Sequence, residues 1–301
     1  MGIGILVLLG LFTTSFCEDL ITQEFVDELK KTVTWEVADP KDNVLRNLKK
    51  ENFKRMLLNT LPVELLNLYD TNRTINKVDK KAYGEIRNLP EQFSWYNEWR
   101  DCIHSGRDQG SECGSCWAFG ITNHLSDRFC IWGKDVVLSV QHLLECDRRN
   151  KCCEGGVDAN AYKFLIEEGI VDEQCRPYDI RCHQCRPTNN CARYKCKDNS
   201  IWYSSGREDI RREIFNNGPV QAAFDVYADF SNYKSGVYYH TTGEFLGVHT
   251  VEVLGWGREN GMNYWICKNC WGDDWGMGSL FKIRMGDCGI DEHMSSCLPD
   301  V

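Results

Sequence analysis

The stretch Asp108-Gln109-Gly110-Ser111-Glu112-Cys113-Gly114-Ser115-Cys116-Trp117-Ala118-Phe119 decides the reading of this 301-residue chain. A glycine-rich turn with two cysteines runs into a segment where Ala118, Ile121, Leu125 and Phe129 share one helical face. The helix predicted over 116–129 therefore starts at Cys116. A cysteine at the start of a helix faces unsatisfied peptide N–H groups, and their positive field favours the thiolate. The thiolate is the nucleophilic form, and it needs a partner base, usually histidine. His249 sits in Gly247-Val-His-Thr-Val-Glu-Val-Leu-Gly-Trp256-Gly, which reads as a strand. Asn269 sits just after the next strand, in Lys268-Asn-Cys-Trp271-Gly. A neutral amide there can fix the imidazole ring by hydrogen bonding.

Composition narrows the class. Hydrophobic residues are 42% and charged residues 26%, values that exclude wholesale disorder. A net charge of -9 leaves no basic footprint for nucleic acid. Residues 18–87 are balanced, with 13 acidic and 13 basic side chains, so the deficit lies after them. The 17 cysteines argue against a reducing cytosol. The run Gly2–Phe12 is too short for a bilayer, which needs roughly 20 residues. It has the length of a signal-peptide core, with Ser15 and Cys17 as small residues at a cleavage site. Its alternative is a buried N-terminal strand. No later stretch approaches membrane length. Residues 1–17 are accordingly expected to be a signal peptide, and the chain a soluble protein of an oxidising lumen. Sixteen cysteines then remain, and most should pair.

Residues 18–86 contain no cysteine and are rich in Lys, Asp, Glu, Leu and Asn. Phe25, Leu29 and Val33 predict one helix there, and Leu45, Leu48 and Phe53 a second that Asn43 could cap. Asn72-Arg73-Thr74 is a glycosylation acceptor, and Lys77–Lys81 reads as an exposed, cuttable loop. From Leu89-Pro90 the texture turns to Cys, Trp, Gly and Tyr. Helices are expected over 116–129, 139–146, 158–168 and 209–216. After Val220 come strands at 248–254, 264–268 and 280–285. Helices first and strands later make an α+β protein with two unlike halves.

His249 and Asn269 lie 133 and 153 residues beyond Cys116, and Cys113-Gly-Ser-Cys116-Trp117 fits a C-G-[SA]-C-[WY] signature. With these residues the chain resembles the papain-like cysteine proteases, and most of all their cathepsin B-like subgroup. Further similar segments are Leu138-Ser-Val-Gln-His-Leu-Leu-Glu-Cys146, Cys175-Arg-Pro-Tyr178, Asn217-Gly-Pro-Val220, Tyr227-Ala-Asp-Phe230, Tyr233-Lys-Ser-Gly-Val-Tyr238, Leu254-Gly-Trp-Gly257 and Thr34-Trp35. The likeness spans essentially the whole chain. It implies a signal peptide (1–17), an inhibitory helical pro-region (18–86) and a two-lobed peptidase domain (87–301). One lobe would be helical and the other a β-barrel-like sheet. The pro-region would fill the cleft, running opposite to substrate, until a cut within about residues 78–88 removes it.

The resemblance implies Cys116 as nucleophile, paired as an ion pair with His249 that would lower the thiol pKa to ~3–4. Asn269 would orient His249 under the shield of Trp271. The oxyanion hole would use the Cys116 N–H and the Gln109 amide. Gly155 and Gly156, in Cys153-Glu-Gly-Gly, would present bare backbone to substrate. Three departures matter. Gln109 lies seven residues before Cys116 rather than the family's six, so Glu112 either bulges outward or displaces Gln109. The region that captures a C-terminal carboxylate with a His-His pair in cathepsin B-like enzymes is here the short Cys182-His183-Gln184-Cys185. The acid expected in the S2 pocket is His293, which points to an apolar or aromatic P2 residue. The other histidines (His104, His124, His142, His183, His240) read as surface or packing residues.

By resemblance the disulfides are Cys102–Cys130, Cys113–Cys153, Cys146–Cys191 and Cys175–Cys196, with Cys182–Cys185 a tight fifth. Cys152, Cys267, Cys270, Cys288 and Cys297 have no assigned partner. Zinc at Cys152-Cys153 or at Cys182–Cys185 is the alternative to disulfides there. No metal or organic cofactor is implied. The expected function is a monomeric secreted or lysosome-like cysteine endopeptidase, made as a zymogen and acting on proteins or peptides. The alternatives are a silent peptide-binding homologue and a carboxydipeptidase.

Overall fold

The computed structural model describes residues 18–58 and 88–301. The expected signal peptide, Asn72, Lys77–Lys81 and nearly all of the expected cleavage stretch lie outside them. Seven α-helices are described: α1 (Gln23–Thr32), α2 (Lys50–Met56), α3 (Trp95–Glu98), α4 (Cys116–Ile131), α5 (Val140–Cys146), α6 (Asp158–Glu167) and α7 (Arg207–Asn217). The strands are β1 (Glu36–Val37), β2 (Phe93–Ser94), β3 (Trp202–Ser204), β4 (Val220–Tyr227), β5 (Tyr233–Ser235), β6 (Val237–Tyr238), β7 (Phe245–Glu259), β8 (Met262–Lys268), β9 (Leu280–Arg284) and β10 (Met294–Ser296). The chain is α+β, with helices gathered in the first half of 88–301 and most strands in the second.

Helix α4 is buried on all sides from Cys116 to Phe129, Asp127 and Arg128 included. A helix apolar over most of its surface is a core helix. Its buried cation is satisfied by many acceptors: Arg128 donates to the carbonyls of Pro219, Gly218 and Cys297 and to Glu213 at 2.8 Å. Ser139 caps α5 by accepting from the His142 N–H at 2.9 Å.

The main sheet has the strand order β3-β10-β4-β7-β8-β9-β6, with β2 also paired to β7. Its pairs are antiparallel except β6 with β9. Strand β7 is the spine, flanked by β4 and β8 and packed against α4. Cys116 at the start of α4, His249 in β7 and Asn269 just after β8 are thereby carried on three adjoining elements.

Two expectations need correction. Asn43 caps no helix. Its side chain accepts from the Leu45 N–H (2.9 Å) and donates to the Ser231 carbonyl (3.0 Å), and α2 begins only at Lys50. Asparagine bonds readily to its own backbone two residues on, and that turn won over helix. Second, the described pairs are Cys102–Cys130, Cys113–Cys153, Cys146–Cys185, Cys152–Cys182, Cys175–Cys191 and Cys196–Cys297. The expected Cys146–Cys191, Cys175–Cys196 and Cys182–Cys185 do not form. Cys182 and Cys185 face different partners, at Cα separations of 6.1 and 4.8 Å, so the short loop is stapled twice. Cys196 lies beside the C-terminal segment through its bridge to Pro299, which brings it to Cys297 instead. The cysteines weighed for zinc are all in disulfides.

Candidate active site

The N-terminal segment docks at two stations. At the outer one, β1 pairs with β5, and Trp35 packs on Tyr233 and Tyr238 while donating to the Tyr239 carbonyl at 3.2 Å. Thr34 bonds the Tyr239 hydroxyl. The Thr34-Trp35 pair is therefore a docking motif. At the inner station, α2 leads into an extended segment. Leu58 exchanges two 2.8 Å backbone hydrogen bonds with Val248, the residue before His249. Phe53 packs edge-on to Trp271 at 5.1 Å. Met56, Leu57 and Leu58 are all buried.

Around these residues the sequence candidates converge. His249 Nε2 lies 2.8 Å from Asn269 Oδ1, which also accepts the Cys270 N–H at 2.8 Å. A backbone N–H can only donate, so the atom facing both is the amide oxygen. Nε2 must then carry the ring proton, and Nδ1 is left bare and without a hydrogen-bond partner. That is the tautomer of a base. The Trp271 ring lies 4.8 Å from the imidazole and is itself buried among Phe53, Phe230 and Trp275.

Cys116 is fully buried, and Thr250 follows His249 in the same strand. Burial pushes its thiol up to about 11, although the Thr250, Trp117 and Cys116 donors pull the other way. Burial takes His249 down to about 4, with the Asn269 bond opposing. For both groups burial disfavours the charged form. The buried surroundings therefore oppose the charge separation that the expected low-pKa ion pair needs.

Gln109 is fully buried, and Glu112 is exposed. The extra residue therefore bulges outward, at a turn where Gly110 has φ +67° and its N–H bonds Asp108 at 2.8 Å. Gln109 Nε2 donates to the Met56 carbonyl at 2.9 Å and to the Cys113 carbonyl at 3.1 Å. Gly155 has φ +110°, and a Cβ there would meet the Leu58 side chain at 3.1 Å. At Gly156 a Cβ would run into the Trp117 ring at 2.4 Å, so that position needs glycine. His293 is half-buried just before β10, whose Met294 pairs with Ala222.

Sequence reasoning missed one group. Lys268, next to Asn269, donates to Asp127 of α4 at 2.7 Å and lies 2.7 Å from Glu252 of β7 without hydrogen-bond geometry. All three are buried, and His104 adds a 2.6 Å bond to Asp127. Burial pulls Lys268 down, but the two carboxylates more than offset it and raise it overall. Burial and Asp127 push Glu252 well up. The cluster ties together the elements carrying Cys116, His249 and Asn269. A glutamate inside the apolar run Val251-Glu-Val253 was the available signal.

The comparisons agree with this geometry. The model of the papain family of cysteine proteases matches residues 89–298. The chain belongs to that family, in its cathepsin B-like part. It is 37% identical to cathepsin B of Dictyostelium discoideum over 74% of this chain and 79% of that one. It is 32% identical to cathepsin B-like cysteine proteinase 4 of Caenorhabditis elegans over 93% of each. Among solved structures, procathepsin B S9 of Trypanosoma congolense superposes with a TM-score of 0.82 at 29% identity, covering 94% of this chain and all of that one. That neighbour is a proform.

Proposed function

We propose that the chain is the zymogen of a cysteine endopeptidase, with residues 18–86 as inhibitory pro-region and 87–301 as peptidase. The observation that carries this is the lie of Met56–Leu58. An extended peptide backbone pairs with Val248 beside His249, and its Met56 carbonyl accepts from Gln109. A peptide carbonyl on that amide mimics a substrate carbonyl in an oxyanion hole. Removal of the segment returns water to the dyad, and the field of the α4 N-terminus then favours Cys116 thiolate with His249 imidazolium. Cys116 attacks the scissile carbonyl, and the tetrahedral oxyanion is held by the Gln109 amide and the Cys116 N–H. His249 protonates the leaving amine, then activates water against the thioester, with Asn269 holding the ring and Trp271 shielding that bond.

Endopeptidase action is favoured over dipeptide release by the 182–185 loop. It is stapled at both ends, and its one histidine is engaged with Asp179 at 3.0 Å. Gly155 offers backbone to substrate, and half-buried His293 would make the S2 pocket suited to an apolar or aromatic side chain. The enzyme would work as a monomer in a lysosome-like vesicle or after secretion. No helix among the described residues is long and apolar enough to cross a membrane. Internally quenched peptides with free and amidated C-termini test the reading. Equal cleavage of both at internal bonds is expected. Cleavage of the free-acid peptide alone, two residues from its end, would make it a carboxydipeptidase. No cleavage by folded, pro-region-free protein would leave the silent homologue.

A further inference from the structure

Cys270 is a buried free thiol inside the catalytic centre rather than in a disulfide. Its Sγ lies 3.2 Å from Gln109 Oε1 and 3.9 Å from His249 Nε2. Its carbonyl accepts the Gln109 N–H at 2.9 Å. The neighbouring residues continue this attachment: Asp108 bridges Trp271, and the Gly272 N–H donates to the Arg107 carbonyl at 3.2 Å. The loop that carries Gln109 is thus sewn to the residues following Asn269.

We propose that Cys270 is a positioning residue that aims the Gln109 amide into the oxyanion hole, by donating its S–H to Oε1. This rests on the assignment of Gln109 to the hole. The three partners of the amide settle its orientation. Carbonyls of Met56 and Cys113 face one end, which must be the NH2, and the thiol faces the other as donor. Without a donor at Oε1 a flipped amide would turn an oxygen toward the hole and repel an oxyanion. Burial keeps the thiol well above its ordinary pKa, so it stays a donor across the working range. The same anchor accounts for the tolerated insertion. Gln109 is pinned by Cys270 through both backbone and side chain, so the extra residue between Gln109 and Cys116 is pushed out at exposed Glu112 and the amide stays put.

The test uses the full-length zymogen, activated by removal of the pro-region, with variants Cys270→Ala, Cys270→Ser, Gln109→Ala and the double variant Cys270→Ala/Gln109→Ala. Kinetics on a quenched peptide are read beside the rate at which an epoxide alkylates Cys116. Gln109→Ala should lower kcat on the order of 10²-fold, as loss of one oxyanion donor does. Cys270→Ala should lower kcat about 3- to 10-fold with KM little changed, the size of one neutral hydrogen bond. Cys270→Ser, which keeps a donor, should restore most of it. The double variant should be no slower than Gln109→Ala, because Cys270 acts through that amide. Alkylation of Cys116 should be unchanged in Cys270→Ala. Should Cys270→Ala fail to fold, Cys270→Val against Cys270→Ser makes the same comparison. The proposal is overturned if Ser behaves like Ala, if the two losses multiply, or if Cys116 alkylation falls with kcat. A harmless Gln109→Ala would instead remove Gln109 from the hole, and the proposal with it.

Discussion

The N-terminal segment, the proposed pro-region, meets the rest of the molecule in two different ways. At the outer station, Thr34–Val37 is held by short strand pairing, an aromatic cluster and exposed ion pairs such as Glu36 with Lys234 at 2.7 Å. None of its partners belongs to the catalytic group. At the inner station, Phe53, Met56 and Leu58 are buried and meet Trp271, Gln109, Gly155 and Val248, the residue before His249. The first station supplies adhesion. The second, on the proposed reading, supplies the inhibition, because it lies along the catalytic residues. Inhibition is therefore expected to respond far more to changes in the inner segment than to changes of equal size in the outer one.

The largest effect expected is on catalysis itself. Cys116→Ala in the activated protein should lower peptide hydrolysis by a factor of about 10⁴ or more, as loss of a nucleophile acting in a unit does. A residual rate within tenfold of the parent, in a steady-state assay, would transfer the chemistry elsewhere. Next comes the contrast between stations. Phe53→Ala removes a fully buried aromatic ring and should weaken the proform by about 3–5 kcal/mol. Trp35→Ala should cost a similar amount. The two should nonetheless differ in function: Phe53→Ala opens the face of Trp271 and should speed epoxide labelling of Cys116 in the uncut zymogen at least several-fold more than Trp35→Ala. Equal labelling rates would erase the distinction between the stations.

The pH dependence sharpens the same point. Burial holds His249 to about 4, His124 to about 3 and His142 to about 4 in the folded proform. The unfolded chain takes up these protons near pH 6.5, while the folded one does not. At these three histidines the unfolded state thus binds more protons between about pH 6.5 and 4, so their contribution to stability falls as pH falls through that window. Urea midpoints measured from pH 7 to 4 should lose more in the parent than in His249→Gln. Parallel profiles for the two would mean that His249 is not held neutral. The smallest effect belongs to the surface. Lys50 and Lys54 meet Glu244 at 3.0 and 3.3 Å in partly exposed pairs. The Lys50 bond holds Glu244 below its ordinary value, so its contribution is present above about pH 4.5 and is lost below the folded value. Glu244→Gln should shift proform stability by less than about 1 kcal/mol, and the shift should vanish in high salt.

Much of this was legible in the sequence because it depends on local pattern. The helix starting at Cys116 and the strand holding His249 follow from hydrophobic pattern, the grouping of Cys116 with His249 and Asn269 was implied by the resemblance, and the structure sets His249 and Asn269 2.8 Å apart. The 116–129 helix runs on to Ile131, and the 248–254 strand extends to 245–259, since sheet pairing on both flanks carries β7 further than its apolar run. Disulfide partners were less legible. Pairing Cys182 with Cys152 and Cys185 with Cys146 depends on which distant elements a loop touches, and no short-range pattern encodes that. The Lys268–Asp127–Glu252 cluster was hidden for the same reason: its members lie on three elements, far apart in sequence. The outward placement of Glu112 also required the structure, because only the hold of Cys270 on Gln109 decides between the two ways an insertion can be absorbed.

The most direct measurement is the stoichiometry of epoxide labelling at Cys116 before and after the pro-region is removed, with Cys116→Ala as control and an amidated quenched peptide as substrate. The account predicts slow labelling in the zymogen, then one label per molecule and internal cleavage of the peptide once residues 18–86 are gone. Folded, pro-region-free protein that neither takes the label nor cuts the peptide would contradict it.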